Sequence, residues 1–342
     1  MSHKISVLIL FGGESSEHEV SISSARNVYA ALDDTKYEVS LCYIDKTGKW
    51  WQVDGFSDLI ETDRFTQLVP VLGSGKLVTL NIAEEILPNV ILPILHGVNG
   101  EDGTVQGLAQ LLHIPIVGCK VAASAVTMDK VLTKQILEYN NIKTVPYEVH
   151  MIGEPYQSFK LLSDKLGEPL FVKPANGGSS VGIRKAKNNE ELINALSEAH
   201  KHDKKVLIEK AITARELEVG ALGSGNNVRI SSVGEICPDR EFYDYESKYD
   251  ESSTTQAIIP ADIPDDVSEK IRAISADAYK VLGCEGMSRM DFFLSDDDEI
   301  YLNEVNTIPG FTNISMYPKL WNHVGLNYSA LIDALILDAL EK

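Results

Sequence analysis

Two stretches of this chain bring together residue types that chemistry needs and stability seldom does. The first runs Phe171-Val172-Lys173-Pro174-Ala175-Asn176-Gly177-Gly178-Ser179-Ser180-Val181-Gly182, which reads as a strand, a loop of glycine and serine, and a second strand. Burying an ammonium at the end of an apolar strand is costly without an anion, and the glycines admit a phosphate close to the backbone, so this segment reads as a nucleotide site. A hairpin whose lysine snorkels to solvent is the alternative. The second stretch pairs Ser288-Arg289-Met290-Asp291-Phe292-Phe293-Leu294 with Tyr301-Leu302-Asn303-Glu304-Val305-Asn306 across a turn at 296–298, a predicted hairpin. With period two, Arg289 and Asp291 share a face and Glu304 and Asn306 share a face, so the hairpin presents three oxygen ligands and one cation. Two carboxylates and an asparagine, completed by phosphate oxygens and water, suit octahedral Mg²⁺ or Mn²⁺ at a nucleotide. An exposed face carrying an ion pair is the alternative here. The rigid turn that follows, Thr307 to Asn313, places Gly310 where its backbone N–H can face an oxyanion.

These residues need a scaffold, and the hydrophobic pattern predicts an α/β one. Ile5 to Phe11 is a nearly continuous apolar run ended by Gly12-Gly13, as expected of a parallel strand buried on both faces. Ile22, Ala25, Tyr29 and Leu32 recur at helical spacing, and Tyr37 to Ile44 returns to strand composition, giving a βαβ unit. A third apolar strand, Asn89 to Leu95, leads into the polar glycine-rich loop His96 to Gly103, where the carboxyl ends of parallel strands hold ligands. Residues 45–85 read as inserted strands and turns. A helix is expected over 122–139, followed by alternating strands and helices through Lys210. Crowded strands at 218–222, 228–232 and 233–237 then imply a mostly antiparallel sheet in a third lobe. Gly220-x-x-Gly223-x-Gly225 has no following helix and is read as a hairpin turn, not a phosphate loop. Val267, Ile271, Ile274, Ala278 and Val281 mark a helix between Pro264 and Gly283.

Composition narrows the partners. The chain has 342 residues, with 31 Lys plus Arg against 50 Asp plus Glu, a net charge of −19 that opposes binding to nucleic acid or to an anionic membrane. An anionic ligand must therefore meet a local cationic pocket. Cys42, Cys119, Cys237 and Cys284 are far apart with no C-x-x-C, which suits free thiols in a reducing compartment. The first apolar run is too short for a membrane span and lacks a cleavage pattern, so the protein is expected in the cytoplasm.

Further motifs accompany these: Phe11-Gly12-Gly13 with Ser16 to Ser21, Leu95-His96-Gly97 with Gly100 to Gly107, Met128-Asp129-Lys130, Leu207-Ile208-Glu209-Lys210 and Tyr243 to Tyr249. In this order, over nearly the whole chain, they resemble the ATP-grasp superfamily and, within it, the D-alanine–D-alanine ligases. The resemblance implies a Rossmann-like parallel-sheet domain over 1–118. Two ATP-grasp subdomains with mostly antiparallel sheets would span 119–213 and 214–342, the second with a closing loop at 239–256. It implies that Lys130 and Lys173 contact the phosphates of ATP, that Ser180 and Lys248 also bind ATP, and that Glu209, Lys210, Ile212 and Glu216 line the adenine and ribose pocket. Asp291, Glu304 and Asn306 would hold two Mg²⁺ or Mn²⁺. Glu17 would pair with the ammonium of a first D-alanine and His96 would sit near its carboxylate. Arg289 and the Gly310 backbone would face the oxyanion, while Ser315 and the Met316 backbone would hold the second carboxylate. Glu17, Ser179 and Tyr249 would form a hydrogen-bonded set completed by the closing loop; a polar surface excursion is the alternative for that loop.

The implied reaction phosphorylates the first D-alanine carboxylate with ATP, and the amine of the second D-alanine then displaces phosphate. Relatives that accept D-lactate or D-serine differ in the closing loop. Lys248-Tyr249 and the absence of histidine from 239–256 follow the dipeptide-forming pattern. A homodimer is also implied. Two departures stand out: Asn176-Gly177-Gly178 is richer in glycine than the pattern, and Met316 replaces an expected leucine. A Rossmann dehydrogenase is the first competing reading, weakened by the missing third glycine after Gly12-Gly13. A two-lobed small-molecule binding protein is the second, and it would have no use for Asp291, Glu304 and Asn306.

Overall fold

A computed structural model describes residues 4–56, 60, 62–81, 83–178, 181–237 and 256–341. Three sheets organise the chain. The first is built from β1 (Ile5–Gly12), β2 (Tyr37–Ile44), β3 (Trp50–Val53), β4 (Thr66–Val71), β5 (Lys76–Thr79), β6 (Glu85–Ile86) and β7 (Val90–Ile94), in the order β6-β5-β4-β3-β2-β1-β7. Only β2, β1 and β7 run parallel; β3 to β6, drawn from the segment read as strands and turns, extend the sheet antiparallel. The sheet expected to be parallel is therefore a mixed one with a parallel centre. That centre is apolar at nearly every position because helices cover both faces. Val7, Ile9 and Phe11 pack with Ala25 and Val28 of α1 (His18–Ala31). The alternate residues Leu8 and Leu10 pack with Val105, Ala109 and Leu112 of α2 (Thr104–Leu112).

The second sheet contains β8 (Tyr147–Met151), β9 (Leu170–Pro174), β10 (Arg184–Ala186) and β11 (Lys205–Lys210), in the order β10-β9-β11-β8 and antiparallel throughout. Its residues Leu170, Val172, Val206 and Ile208 pack under α5 (Phe159–Leu166) and α6 (Asn189–Ala199). The helix expected over 122–139 is in fact two, α3 (Val121–Met128) and α4 (Lys130–Tyr139). Asp129 breaks it: its backbone is extended, and its carboxylate accepts the N–H groups of Val131 and Leu132 at 3.0 and 3.1 Å, capping α4. The break sets Lys130 at the first position of α4, where its own N–H donates to the Ala175 carbonyl at the end of β9.

The third sheet comprises β12 (Ala214–Gly223), β13 (Arg229–Cys237), β14 (Gln256–Ile258), β15 (Gly286–Ser295) and β16 (Ile300–Asn306), in the antiparallel order β14-β13-β12-β15-β16. The two strands expected at 228–232 and 233–237 are one, β13, with an irregularity opposite Val219 and Ala221. The glycine-rich stretch ends β12 and turns into β13, a hairpin as expected. One face of this sheet packs under α7 (Asp265–Val281) through Leu217, Val219, Ala221, Met290 and Phe292. Against the other lies α8 (Met316–His323). A Cβ on Gly220 would meet Trp321 Nε1 at 2.9 Å and the Tyr317 ring at 3.1 Å, so glycine is what lets the helix reach the strand. The last helix, α9 (Tyr328–Leu340), returns to the first sheet, where Leu331, Leu335 and Ile336 join the cluster around Val7 and Ile9. Among the described residues no helix is long and apolar enough to cross a membrane.

Candidate active site

The face of the second sheet turned away from α5 and α6 carries charge. Lys173 on β9 and Glu209 on β11 lie diagonally across the paired strands, and α4 lays Lys134 over them. Glu209 joins both: its oxygens lie 2.6 Å from Lys173 Nζ and 2.8 Å from Lys134 Nζ, with all three side chains less than a tenth exposed. Lys134 Nζ also donates to the Val145 carbonyl. Burial opposes ionisation of Glu209, but the two ammonium groups outweigh it and hold the carboxyl below its ordinary value. Burial depresses Lys134 and Lys130, opposed by Glu209 for the former and chiefly by Glu304 for the latter. Lys130 Nζ donates to the Gly177 carbonyl at 2.6 Å, so a second ammonium stands at the glycine-rich loop.

The expected hairpin forms from β15 and β16, and its register sets Arg289 opposite Asn306 and Asp291 opposite Glu304. Arg289 Nε and Nη2 each donate to one oxygen of Asp291 at 2.7 Å, and Glu218 of β12 lies 3.0 Å from Arg289 Nε. Burial alone would lower Arg289, but Asp291 and Glu218 raise it well above its ordinary value, fixing a permanent cation. Asn306 Nδ2 donates to Asp291 Oδ2, which turns its amide oxygen the other way. Among the described residues no three His, Cys, Asp or Glu side chains are grouped to hold a metal by themselves. The donor set is two carboxylates and one amide oxygen, all hard ligands, and it fits Mg²⁺ provided that phosphate oxygens complete the shell.

The loops of the first sheet reach into the same cleft. Ser21 of α1 accepts from the Gly12 N–H at 2.7 Å and donates to the Ile94 carbonyl, tying the ends of β1 and β7. Glu17 precedes α1 and is buried. A Cβ on Gly97 would lie 3.0 Å from Glu17 Oε2, and a Cβ on Gly178 would lie 3.2 Å from the same oxygen. One carboxylate thus stands between the loop after β7 and the glycine-rich loop after β9. His96 donates from Nδ1 to the Ile308 carbonyl at 3.0 Å and accepts from Ser24 Oγ at Nε2, with burial holding it below its ordinary pKa. Both ring nitrogens are engaged, so His96, in the loop after β7, ties α1 to the turn after β16. Glu101, in the same loop, reaches that turn as well: its oxygens accept the N–H groups of Gly97 at 2.8 Å and Ile308 at 3.0 Å. Burial, reinforced by Glu17, pushes its carboxyl up to about 8.

Glu209 is engaged by lysines, while Lys210 is exposed and Ile212 and Glu216 are half-buried on the connection and strand that follow. Ser315 stands just before α8, its Oγ accepting from the Thr312 N–H at 3.1 Å, and a Cβ on Gly310 would meet that Oγ at 3.1 Å. The Met316 side chain is buried with Ile236 and Leu320. Ser179, Ser180, Lys248 and Tyr249 lie outside the described residues. Sequence reasoning did not single out Lys134, Glu101 or Glu218. A lysine three residues after Val131 on the buried stripe of α4, and a glutamate two before Gly220 on the inner face of β12, were the available signals.

A glycine-rich loop with two lysines, beside an oxygen-donor hairpin and framed by three sheets, is the arrangement of a ligase of the ATP-grasp class. Comparison with known proteins narrows the class. A family model described as "D-ala D-ala ligase N-terminus" matches residues 6–119, and one described as "D-ala D-ala ligase C-terminus" matches 136–337. The chain belongs to the D-alanine–D-alanine ligase family. It is 47% identical to a D-alanine–D-alanine ligase from Clostridium acetobutylicum over 97% of each chain. It is 43% identical to D-alanine–D-alanine ligase A from Salmonella typhimurium, over 99% of this chain and 96% of that one. Among solved structures, the D-alanine–D-alanine ligase from Coxiella burnetii superposes with a TM-score of 0.90 at 34% identity, over 99% of this chain and 95% of that chain. The VanG D-Ala:D-Ser ligase from Enterococcus faecalis gives 0.86 at 31%, over 98% and 100%.

Proposed function

We propose that this enzyme joins two D-alanines into D-alanyl-D-alanine, releasing ADP and phosphate, for assembly of peptidoglycan precursors. The observation that carries the reading is the position of Glu17: a buried carboxylate able to receive an ammonium, in contact range of both Gly97 and Gly178. An amino acid held there by its ammonium has its own carboxylate directed at the loop that takes the γ-phosphate.

Two anions must meet in this cleft, and the chain supplies the opposing charge. Lys130 and Lys173 hold the phosphates. Lys173 moves from Glu209 toward the nucleotide, and Lys134 keeps the remaining carboxylate neutralised. Asp291, Glu304 and Asn306 hold Mg²⁺, which when bound neutralises phosphate charge. A carboxylate oxygen of the first D-alanine attacks the γ-phosphorus and ADP leaves. The amine of the second D-alanine then attacks the acyl carbon, and the oxyanion that forms is met by Arg289 and the Gly310 N–H before phosphate departs. Ser315 and the Met316 backbone hold the acceptor carboxylate, and His96 and Glu101 fix the loops on which these groups ride. Glu209, Lys210, Ile212 and Glu216 form the adenine and ribose side. Ser179, Ser180, Lys248 and Tyr249 complete the phosphate and closing-loop contacts in this reading. The lobes 1–118, 119–213 and 214–342 act as its domains, in a cytoplasmic homodimer.

The test is release of ADP with ATP and Mg²⁺, measured with and without D-alanine and with D-serine or D-lactate in competition, and with the product identified. D-alanine-dependent ADP release with D-alanyl-D-alanine as the product is expected. ADP release indifferent to D-alanine, or preferential incorporation of D-serine or D-lactate, overturns the assignment. Glu304→Gln should keep the fold and lose most turnover.

A further inference from the structure

We propose that Asp203 is a positioning residue for the loop that takes the ATP phosphates; this rests on reading residues 176–182 as that loop. Asn176 is where β9 gives way to the glycine-rich stretch, and it is exposed, so core packing does not fix it. Asp203 does. Its Oδ2 accepts both the Asn176 N–H at 2.7 Å and Asn176 Nδ2 at 2.8 Å, and its Oδ1 accepts the Lys205 N–H at 3.0 Å. One carboxylate thus locks the start of the loop to the start of β11.

The same stretch is held from its other side by α4. Lys130 donates from its N–H to the Ala175 carbonyl at 2.9 Å and from Nζ to the Gly177 carbonyl. Asp129, which breaks the helix before it, pairs with Lys205, and Lys205 in turn accepts the Ala175 N–H at its carbonyl. Two aspartates, one on each side, therefore hold Ala175 and Asn176 just ahead of Gly177 and Gly178. The far end of the loop rests on the turn that carries Asp203: a Cβ on Gly182 would meet the His202 ring at 2.8 Å.

That turn is itself anchored. The Asp203 carbonyl accepts from His200 Nδ1 at 3.0 Å, which leaves His200 Nε2 to accept from His150 Nδ1 at 2.8 Å. His150 lies on β8, under the helical layer. Asp203 is thereby fixed to the sheet at one end and grips the loop at the other.

Adjacent glycines have more conformational freedom than any other residues, and a phosphate site built from their N–H groups must restrict it before binding. A loop clamped at its first residue starts with part of that restriction made. Loss of the clamp should therefore weaken nucleotide binding far more than D-alanine binding, which Glu17 holds from the other side.

The test measures affinity for the Mg²⁺ complex of a non-hydrolysable ATP analogue by calorimetry without D-alanine, together with KM for ATP, KM for D-alanine and the unfolding midpoint. Asp203→Ala should weaken the analogue about tenfold, or ~1.4 kcal/mol, with KM for ATP rising in parallel. KM for D-alanine should change much less than KM for ATP, and the unfolding midpoint should hold. Asp203→Asn, which keeps one acceptor oxygen and nearly the same shape, should recover part of the loss. Asn176→Ala keeps the main-chain bond and should lose less. Combined with Asp203→Ala it should add nothing, because both act through one contact. Unchanged nucleotide affinity in Asp203→Ala overturns the proposal, and so does a fall in the midpoint with all affinities weakened together. Because affinity is read without D-alanine, failure of the unaltered chain to form dipeptide would overturn the functional reading alone.

Discussion

Two buried ion clusters face each other across the cleft, and they are built with opposite signs. On the second sheet one carboxylate, Glu209, lies between two ammonium groups, Lys134 and Lys173. On the third, one guanidinium, Arg289, lies between two carboxylates, Glu218 and Asp291. Each cluster is left one charge out of balance, positive on the second sheet and negative on the hairpin with hard oxygen donors. A buried ion pair is weak evidence for stability, since desolvation offsets most of the attraction. The imbalance makes better sense as preparation for ligands: each cluster is completed by what binds beside it.

Breaking that arrangement at its centres should give the largest effects. Glu209→Leu removes the only carboxylate between two buried ammonium groups and should destabilise the fold by ~3–5 kcal/mol, read from urea unfolding. Arg289→Met strands two carboxylates in a cluster less completely buried, and a loss of ~3 kcal/mol is expected. Mg²⁺ should recover part of the Arg289→Met loss and none of the Glu209→Leu loss. Equal responses of both variants to Mg²⁺ would refute the opposite-sign reading.

A smaller effect is predicted for pH. The folded chain keeps the Glu101 proton up to about pH 8, whereas an ordinary carboxyl releases it near 4.5. The folded state thus binds the extra proton, so this contribution is complete below about pH 4.5 and declines as pH rises toward 8. Stability should fall by roughly 1–3 kcal/mol between pH 6 and 8, and Glu101→Gln should flatten that slope. The smallest effect belongs to an exposed pair. Lys36 lies 2.6 Å from Asp333 on the surface between β2 and α9, and Lys36→Ala should leave the unfolding midpoint where it was.

What could be seen in the sequence was whatever depends on local period. β1 and β7 were legible because strands buried on both faces are apolar at every position. The hairpin bearing Arg289, Asp291, Glu304 and Asn306 was legible because period two assigns faces without tertiary knowledge. The break at Asp129 was hidden, since Val121 to Tyr139 keeps its helical spacing through it and only the cap geometry reveals the interruption. Glu101 was quoted within a motif but its strut was not, because its partner Ile308 is 207 residues away. Lys134 looked like an ordinary helix lysine; its burial is imposed by β11 and by Glu209.

The return of α9 to the first sheet has a consequence in time. Leu331, Leu335 and Ile336 cover the face of β1 that carries Val7 and Ile9, so residues near opposite ends of the chain share one core. During synthesis that face of β1 has only α1 to cover it until α9 emerges. The first lobe to be made is therefore the last to be finished, and its high contact order should make it slow to fold and exposed to aggregation in the interval.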